Sequence, residues 1–169
     1  MYRLTLLFAL LFCFGCVGEQ PPAGFPPLVP CSLLITQEGQ PLADASVSLF
    51  PVESDNKWSS GGMSDVQGRV QLYTHSKFAG VPVGKYKVVI QKRVTEGESG
   101  GAPIGASAQE FADFMQRRKA NPPRTYDVVN TDFASPESTT LEISVEKKGK
   151  NLFPFDVGKA VRKEVKTKP

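Results

Sequence analysis

Apolar and polar side chains alternate along several short segments of this chain, and turn-forming residues separate those segments. In the clearest segment, Tyr86, Val88 and Ile90 alternate with Lys85 and Lys87. Successive side chains of a β-strand point to opposite faces, so this period of two places the apolar set on one buried face. The same alternation recurs in three other segments, with inward-facing residues Val47, Leu49, Val70, Leu72, Leu141, Ile143 and Val145.

Six or seven strands are predicted between residues 28 and 157. The first covers residues 28–37, and Gly39 in the turn that follows is free to take a positive φ. The last covers residues 151–157, where Phe153 and Phe155 share one face. A chain of this size is long enough to build one domain with its own core. The pattern predicts an all-β sandwich.

One segment departs from the strand pattern and predicts a short helix within an insert at residues 99–121. Ser107 and Glu110 have the spacing of a capping box, and Phe111, Phe114 and Met115 share one helical face. The helix is expected either to cap an open end of the sandwich or to serve as a partner-binding arm. Capping is favoured because the three apolar side chains need cover.

The first residues resemble a secretory leader. Arg3 precedes an apolar run that is much shorter than the roughly 20 residues of a membrane-spanning helix. Residues 1–15 are therefore predicted to be a lipoprotein-type signal peptide, with lipid attachment at Cys16 and a flexible, proline-rich tether at residues 16–27. Plain secretion and an uncleaved anchor are the alternatives. Val17 after the acylated cysteine favours the outer membrane.

The other end of the chain is basic. The net charge is +3 overall, and residues 158–169 are predicted to form a basic, disordered tail. Outside the leader and this tail, acidic residues slightly outnumber basic ones, so no basic face for nucleic acid is expected. Contact of the tail with anionic lipid or a cell-wall polymer is the alternative.

The sequence offers little catalytic chemistry. His75 is the one histidine, which makes a poor metal site and a poor triad member. No metal, cofactor or catalytic residue is therefore predicted, and Cys31 is expected to be a partly buried thiol. A metal-dependent hydrolase remains as an alternative, and it requires His75, Asp127 and Asp132 to converge in one pocket.

Three aromatic residues fall in segments predicted to be loops, namely Trp58, Tyr126 and Phe133. Exposed aromatic side chains on sandwich loops can stack on sugars or anchor a protein partner. These three are the candidate contacts for a glycan or protein. The competing interpretation is that they fold back onto the core.

The order of the turns and strands resembles a known family. The segments that carry the likeness are EGQPLADASVSLFP, SDVQGRVQL and GVPVGKYKVVIQK, followed by the late segment from NPPRTYDVV to NLFPFDV. Together they resemble the carboxypeptidase regulatory-like domains of small secreted bacterial lipoproteins. That resemblance implies a transthyretin-like (prealbumin-like), seven-stranded β-sandwich over residues 28–157, and a role without catalysis.

The function predicted from these features is that of a non-enzymatic cell-envelope module. Its lipid anchor would hold it to a membrane, facing the periplasm or the exterior, where it would bind or scaffold a protein or glycan partner. A structural envelope component that self-associates through its sheet edges is the main alternative.

Overall fold

The computed structural model describes residues 21–53 and 57–165 of the chain. The predicted leader, Cys16 and the last four residues of the predicted tail lie outside the described residues.

Strands dominate the described residues. They are β1 Leu28–Val29, β2 Ser32–Gln37, β3 Gln40–Pro41, β4 Ser46–Pro51, β5 Ser60–Met63, β6 Arg69–Gln71, β7 Tyr73–Thr74, β8 Phe78–Ala79, β9 Val81–Pro82, β10 Gly84–Gln91, β11 Arg93–Glu96, β12 Arg124–Asp127, β13 Glu142–Val145, β14 Leu152–Asp156 and β15 Lys163–Glu164. One helix, α1, covers Ala108–Ala120, and a 3-10 turn covers Thr131–Phe133. The expectation of a mainly β chain with one inserted helix is confirmed.

The larger sheet has six strands in the order β13-β10-β4-β5-β7-β8, with antiparallel neighbours. Its longest strand, β10, buries Tyr86, Val88 and Ile90 as the alternation predicts. Val89 is also buried, although the same alternation places it with the outward-facing lysines. The 3-10 turn packs against β10. A strand that is covered on both faces does not keep a strict alternation of buried and exposed residues, so the sequence pattern could not predict the burial of Val89.

The second sheet is built around β2, which pairs with β14 on one side and with β3 and β6 on the other. The β2–β14 pairing is parallel, and it places Leu33 beside Phe153 and Ile35 beside Phe155. The strand pair β6–β7 connects the two sheets, because β6 pairs with β2 and β7 pairs with β5. Buried side chains from both sheets form one hydrophobic core.

A third sheet, β11-β12-β15, lies outside the predicted strand pattern. Tyr126 therefore lies in a strand, where the sequence predicted a loop. Residues Lys163–Glu164 of the predicted tail form β15 and pair with Tyr126 and Asp127 of β12. The described part of the tail is thus ordered, in contrast to the expectation of disorder from residue 158 onward.

The capping box at the start of α1 is confirmed, since Ser107 and Glu110 exchange both hydrogen bonds. The expected cover for its apolar face is confirmed for one residue and wrong for two. Phe114 is 4% exposed, whereas Phe111 is 51% and Met115 is 48% exposed. Packing buries one side chain of the helix and leaves the neighbouring stripe open to solvent.

Candidate functional site

Strand register gives the sandwich two distinct ends. The proximal end is where the N-terminal segment enters, because β1 pairs with β9 just before Gly84 begins β10. The distal end is where β10 finishes at Gln91 and the chain continues into β11 and α1. At about 3.3 Å per residue, β10 separates the two ends by about 23 Å.

Trp58 lies at the proximal end in an aromatic cluster with Phe25, His75 and Phe78. The ring centroids of Phe25 and Trp58 are 4.1 Å apart, and those of Trp58 and His75 are 5.2 Å apart. Phe25 also meets Phe78 edge-on at 5.0 Å. Phe25 belongs to the segment predicted to be a flexible tether. The contacts therefore extend the folded region to within about ten residues of Cys16.

Tyr126 lies beyond the distal end, so it does not share a surface with Trp58. The Arg162 guanidinium lies 4.0 Å from the Tyr126 ring centroid, in a cation–π arrangement. Arg162 also donates two hydrogen bonds to the Glu96 carboxylate, at 2.7 and 2.6 Å. We call this group of three residues the tail latch. It fastens the chain between β14 and β15 onto the third sheet.

We expect acid to weaken the attachment of the tail latch to the third sheet. The hydrogen bonds from Arg162 lower the pKa of Glu96 below its ordinary value. A carboxylate with a lowered pKa stabilises the folded state at neutral pH and loses that contribution as the pH falls through the folded pKa. We expect amide exchange protection of Val165, which donates to the Thr125 carbonyl at 2.8 Å, to fall in that acidic window.

Glu96→Gln should reproduce this loss of Val165 protection at neutral pH, as measured by hydrogen exchange with NMR detection. Glu98→Gln is the matched control, because Glu98 forms a looser ion pair with Arg117 at 4.0 Å in the same region. Equal protection of Val165 in wild type and Glu96→Gln would contradict the latch.

Phe133 ends the 3-10 turn and packs against the core while remaining partly exposed. Its neighbours are fixed to β10, since Gln91 donates to the Ala134 carbonyl at 2.6 Å and Lys87 donates to the Pro136 carbonyl at 3.0 Å. The three aromatic residues proposed as partner contacts therefore lie in three places. Phe133 packs against the hydrophobic core, whereas Trp58 contacts Phe25 and His75, and Tyr126 contacts Arg162.

A groove of about 830 Å³ is lined by residues of both main sheets, around the β6–β7 pair that connects them. Small residues such as Gly62 and Gly80 form part of its lining, and a Cβ at Gly62 would lie 2.5 Å from the Gln71 carbonyl oxygen. Asn151 also lines the groove, but its side chain is committed to the β13–β14 turn through Glu146. Asp65 also lines the groove, and its carboxylate accepts hydrogen bonds from the backbone N–H groups of Gln67 and Arg69.

Cys31 borders this groove as a free, buried thiol, in agreement with the sequence. Burial raises the pKa of the Cys31 thiol to about 11. A thiol that stays protonated at neutral pH is a poor nucleophile, so Cys31 acts as a small apolar side chain.

The residues of the hydrolase alternative do not converge. His75 lies in the β7–β8 turn, three strands across the larger sheet from β10, or about 14 Å at the usual strand spacing. Asp127 instead pairs with Arg93, beyond the distal end of β10. Within residues 21–53 and 57–165, no group of three or more His, Cys, Asp or Glu side chains could hold a metal ion.

A second concave surface lies on α1. Met115, Gln116, Arg118 and Lys119 form one wall, and Pro122 and Pro123 form the other, around a volume of about 580 Å³. We call this surface the helix groove. The sequence identified the helix and its apolar residues, but the wall formed by the two prolines depends on the path of the chain after Asn121.

None of the helices in the described part of the chain is long and apolar enough to cross a membrane. No protein-family model, curated protein or solved structure matches the chain.

Proposed function

We propose that this chain is a non-enzymatic, lipid-anchored module of the cell envelope, which presents its distal end to a protein partner. The observation that supports this proposal is the position of the two ends. The N-terminal segment enters at the proximal end through Phe25, whereas α1 and the tail latch lie beyond the distal end. A chain anchored at Cys16 would therefore carry α1 on the side facing away from the membrane.

Chain length supports the same arrangement. Phe25 lies nine positions after Cys16, and an extended chain of that length spans at most about 30 Å. The proximal end would stay close to the bilayer, and the length of β10 would add about 23 Å before α1 is reached. Two or more acyl chains would hold the module firmly, because each buried methylene contributes about 0.8 kcal/mol.

The proposal includes a specific sandwich fold. We infer a transthyretin-like sandwich of seven principal strands, namely β2, β4, β5, the bent pair β6–β7, β10, β13 and β14. Support comes from the two packed sheets and from the buried alternation of β10, the strand that carries the strongest sequence likeness. The carboxypeptidase regulatory-like resemblance is consistent with a binding role.

The alternatives have weaker support. Self-association through sheet edges would use a strand at the end of a main sheet, namely β13, β8, β14 or β3. β8 and β3 are two residues long, β13 is four residues long with an exposed Glu142, and Pro154 in the middle of β14 removes one backbone donor, so none of these edges is a good template for pairing. A metal-dependent hydrolase lacks the convergence of His75 and Asp127 that it requires.

Acylation of Cys16 is the first test. We expect a bacterial host that is fed alkyne-labelled palmitate to label the wild-type chain and Cys13→Ser, and to leave Cys16→Ser unlabelled. Cys13→Ser is the matched control, because it changes a second cysteine of the same leader. The mature N-terminus, read by mass spectrometry, should be a diacylated Cys16. An unmodified mature N-terminus at any other residue would refute the anchor.

A further inference from the structure

We propose that the helix groove binds an acidic segment of a partner protein that also carries apolar side chains. This inference rests on the proposed function, because it identifies the kind of partner that the distal end would take.

The apolar stripe on α1 is exposed to solvent. Phe111 and Met115 lie four residues apart, one helical turn along the same face, and Arg118 follows three residues after Met115. Phe111 and Met115 are each about half exposed, and Ile104 just before the helix is fully exposed. Exposed apolar residues grouped on one face, with polar residues around them, mark interaction surfaces more often than residues scattered singly do.

The second wall of the helix groove is tied to the end of β11. Glu98 donates its backbone N–H to the Asn121 carbonyl at 2.9 Å, which ties the segment after α1 to the end of β11. A Cβ at Gly97 would lie 2.5 Å from the Pro122 carbonyl oxygen, so the two segments are in close contact. Proline also restricts the backbone. When the shape of a groove is already fixed, ordering its residues costs less free energy as a ligand binds.

The helix groove carries positive charge. Arg118 and Lys119 line the groove, and within the described ranges neither forms an ion pair. Their neighbour Arg117 is already paired with Glu98. Two cations beside an apolar groove are complementary to carboxylates that flank apolar side chains, and charge-assisted hydrogen bonds would fix the orientation of such a segment.

The same charges argue against an anionic bilayer as the occupant. Glu110 and Asp113 occupy the N-terminal half of α1, so the helix is basic in its C-terminal half alone. A helix that lies flat on anionic lipid carries its cations along the whole polar face. A short peptide can instead contact the basic half and fill the concave surface beside Pro122 and Pro123.

The test is a selection from a random dodecapeptide phage library against the full chain purified in detergent. We expect the enriched peptides to combine acidic and apolar residues. Fluorescence anisotropy should show that Met115→Glu and Arg118→Glu each weaken the binding of these peptides at least about tenfold, and that added salt weakens it too. Enrichment of basic or purely apolar peptides, or no enrichment, would overturn the proposal.

Matched controls separate the groove from general effects of charge. Val66→Glu places the same new carboxylate on an exposed apolar residue of the β5–β6 turn, outside the lining of the helix groove, and Lys148→Glu makes the same charge change in the β13–β14 turn. Both controls should bind the peptides as wild type does. All variants should have the circular dichroism spectrum and the melting temperature of the wild type, which shows that they are folded. Equal losses in the control variants would refute the site.

A vesicle experiment decides whether the helix groove binds an acidic peptide or an anionic bilayer. The full chain reconstituted in phosphatidylcholine vesicles should not cluster added phosphatidylglycerol vesicles. Clustering that Arg118→Glu abolishes would assign the groove to lipid and overturn the peptide proposal. Acylation of Cys16 is measured separately, so a failed anchor and a failed groove give different results.

Discussion

Replacing Tyr86 by alanine is expected to lower the free energy of unfolding by about 3–5 kcal/mol, because removing a large buried ring leaves a cavity. Tyr86 is 0% exposed and lies in the middle of the core, between Ile143 of β13 and Pro51 of β4 on neighbouring strands. For a domain of this size the loss corresponds to a fall in melting temperature of about 10 °C or more. Chemical denaturation followed by Trp58 fluorescence measures it.

Tyr86→Phe is the matched control, because it keeps the ring and removes the hydroxyl. That hydroxyl donates to the Pro82 carbonyl at 2.8 Å, and its loss is expected to cost about 1 kcal/mol. The comparison separates packing from hydrogen bonding at one position. If Tyr86→Ala cost no more than Tyr86→Phe, the ring could not be a central element of the core.

Replacing Gly68 by alanine is expected to destabilise the fold by about 3 kcal/mol, which is large for the addition of one methyl group. Gly68 has a φ of +74°, a left-handed backbone conformation in which a residue with a side chain is strained. A Cβ there would also lie against the carbonyl oxygen of Ile35, closer than Cβ atoms normally approach. The Ile35 N–H donates to the Gly68 carbonyl at 2.7 Å, so the clash falls where β2 meets the turn.

Gly39→Ala isolates the backbone part of that effect. Gly39 has almost the same φ, +76°, and a Cβ there would meet no atom within 4 Å. Strain alone should cost about 1 kcal/mol, measured by the same denaturation experiment. A difference of less than a few tenths of a kcal/mol between the two variants would mean that the chain relaxes around Gly68 without cost.

The core strands could be predicted from sequence because their pattern is local. Alternation along β10 identifies its buried face without knowledge of its neighbours, and the same holds for Ile143 and Val145 in β13. The third sheet could not be predicted in this way. Arg93–Glu96 is exposed and Arg124–Asp127 is mostly half-buried, and their pairing depends on contacts between residues about thirty positions apart.

The candidate sites show the same limit. Sequence spacing placed Phe111, Phe114 and Met115 on one helical face, but coverage of that face depends on which tertiary neighbour reaches it. Phe25 was assigned to a tether because prolines surround it, and its contact with Trp58 joins segments more than thirty residues apart. Local pattern identifies which residues are apolar, and chain topology decides which of them stay exposed.

The parallel pairing of β2 with β14 has a consequence for biogenesis. The ribosome releases β2 early and β14 near the end of synthesis, yet Leu33 and Ile35 need Phe153 and Phe155 beside them. One edge of β2 therefore stays without its neighbour until almost the whole polypeptide has emerged, and the nascent chain remains unfinished during that interval. Export channels thread unfolded chains, so under the proposed location in the cell envelope this late closing step would keep the chain competent for translocation.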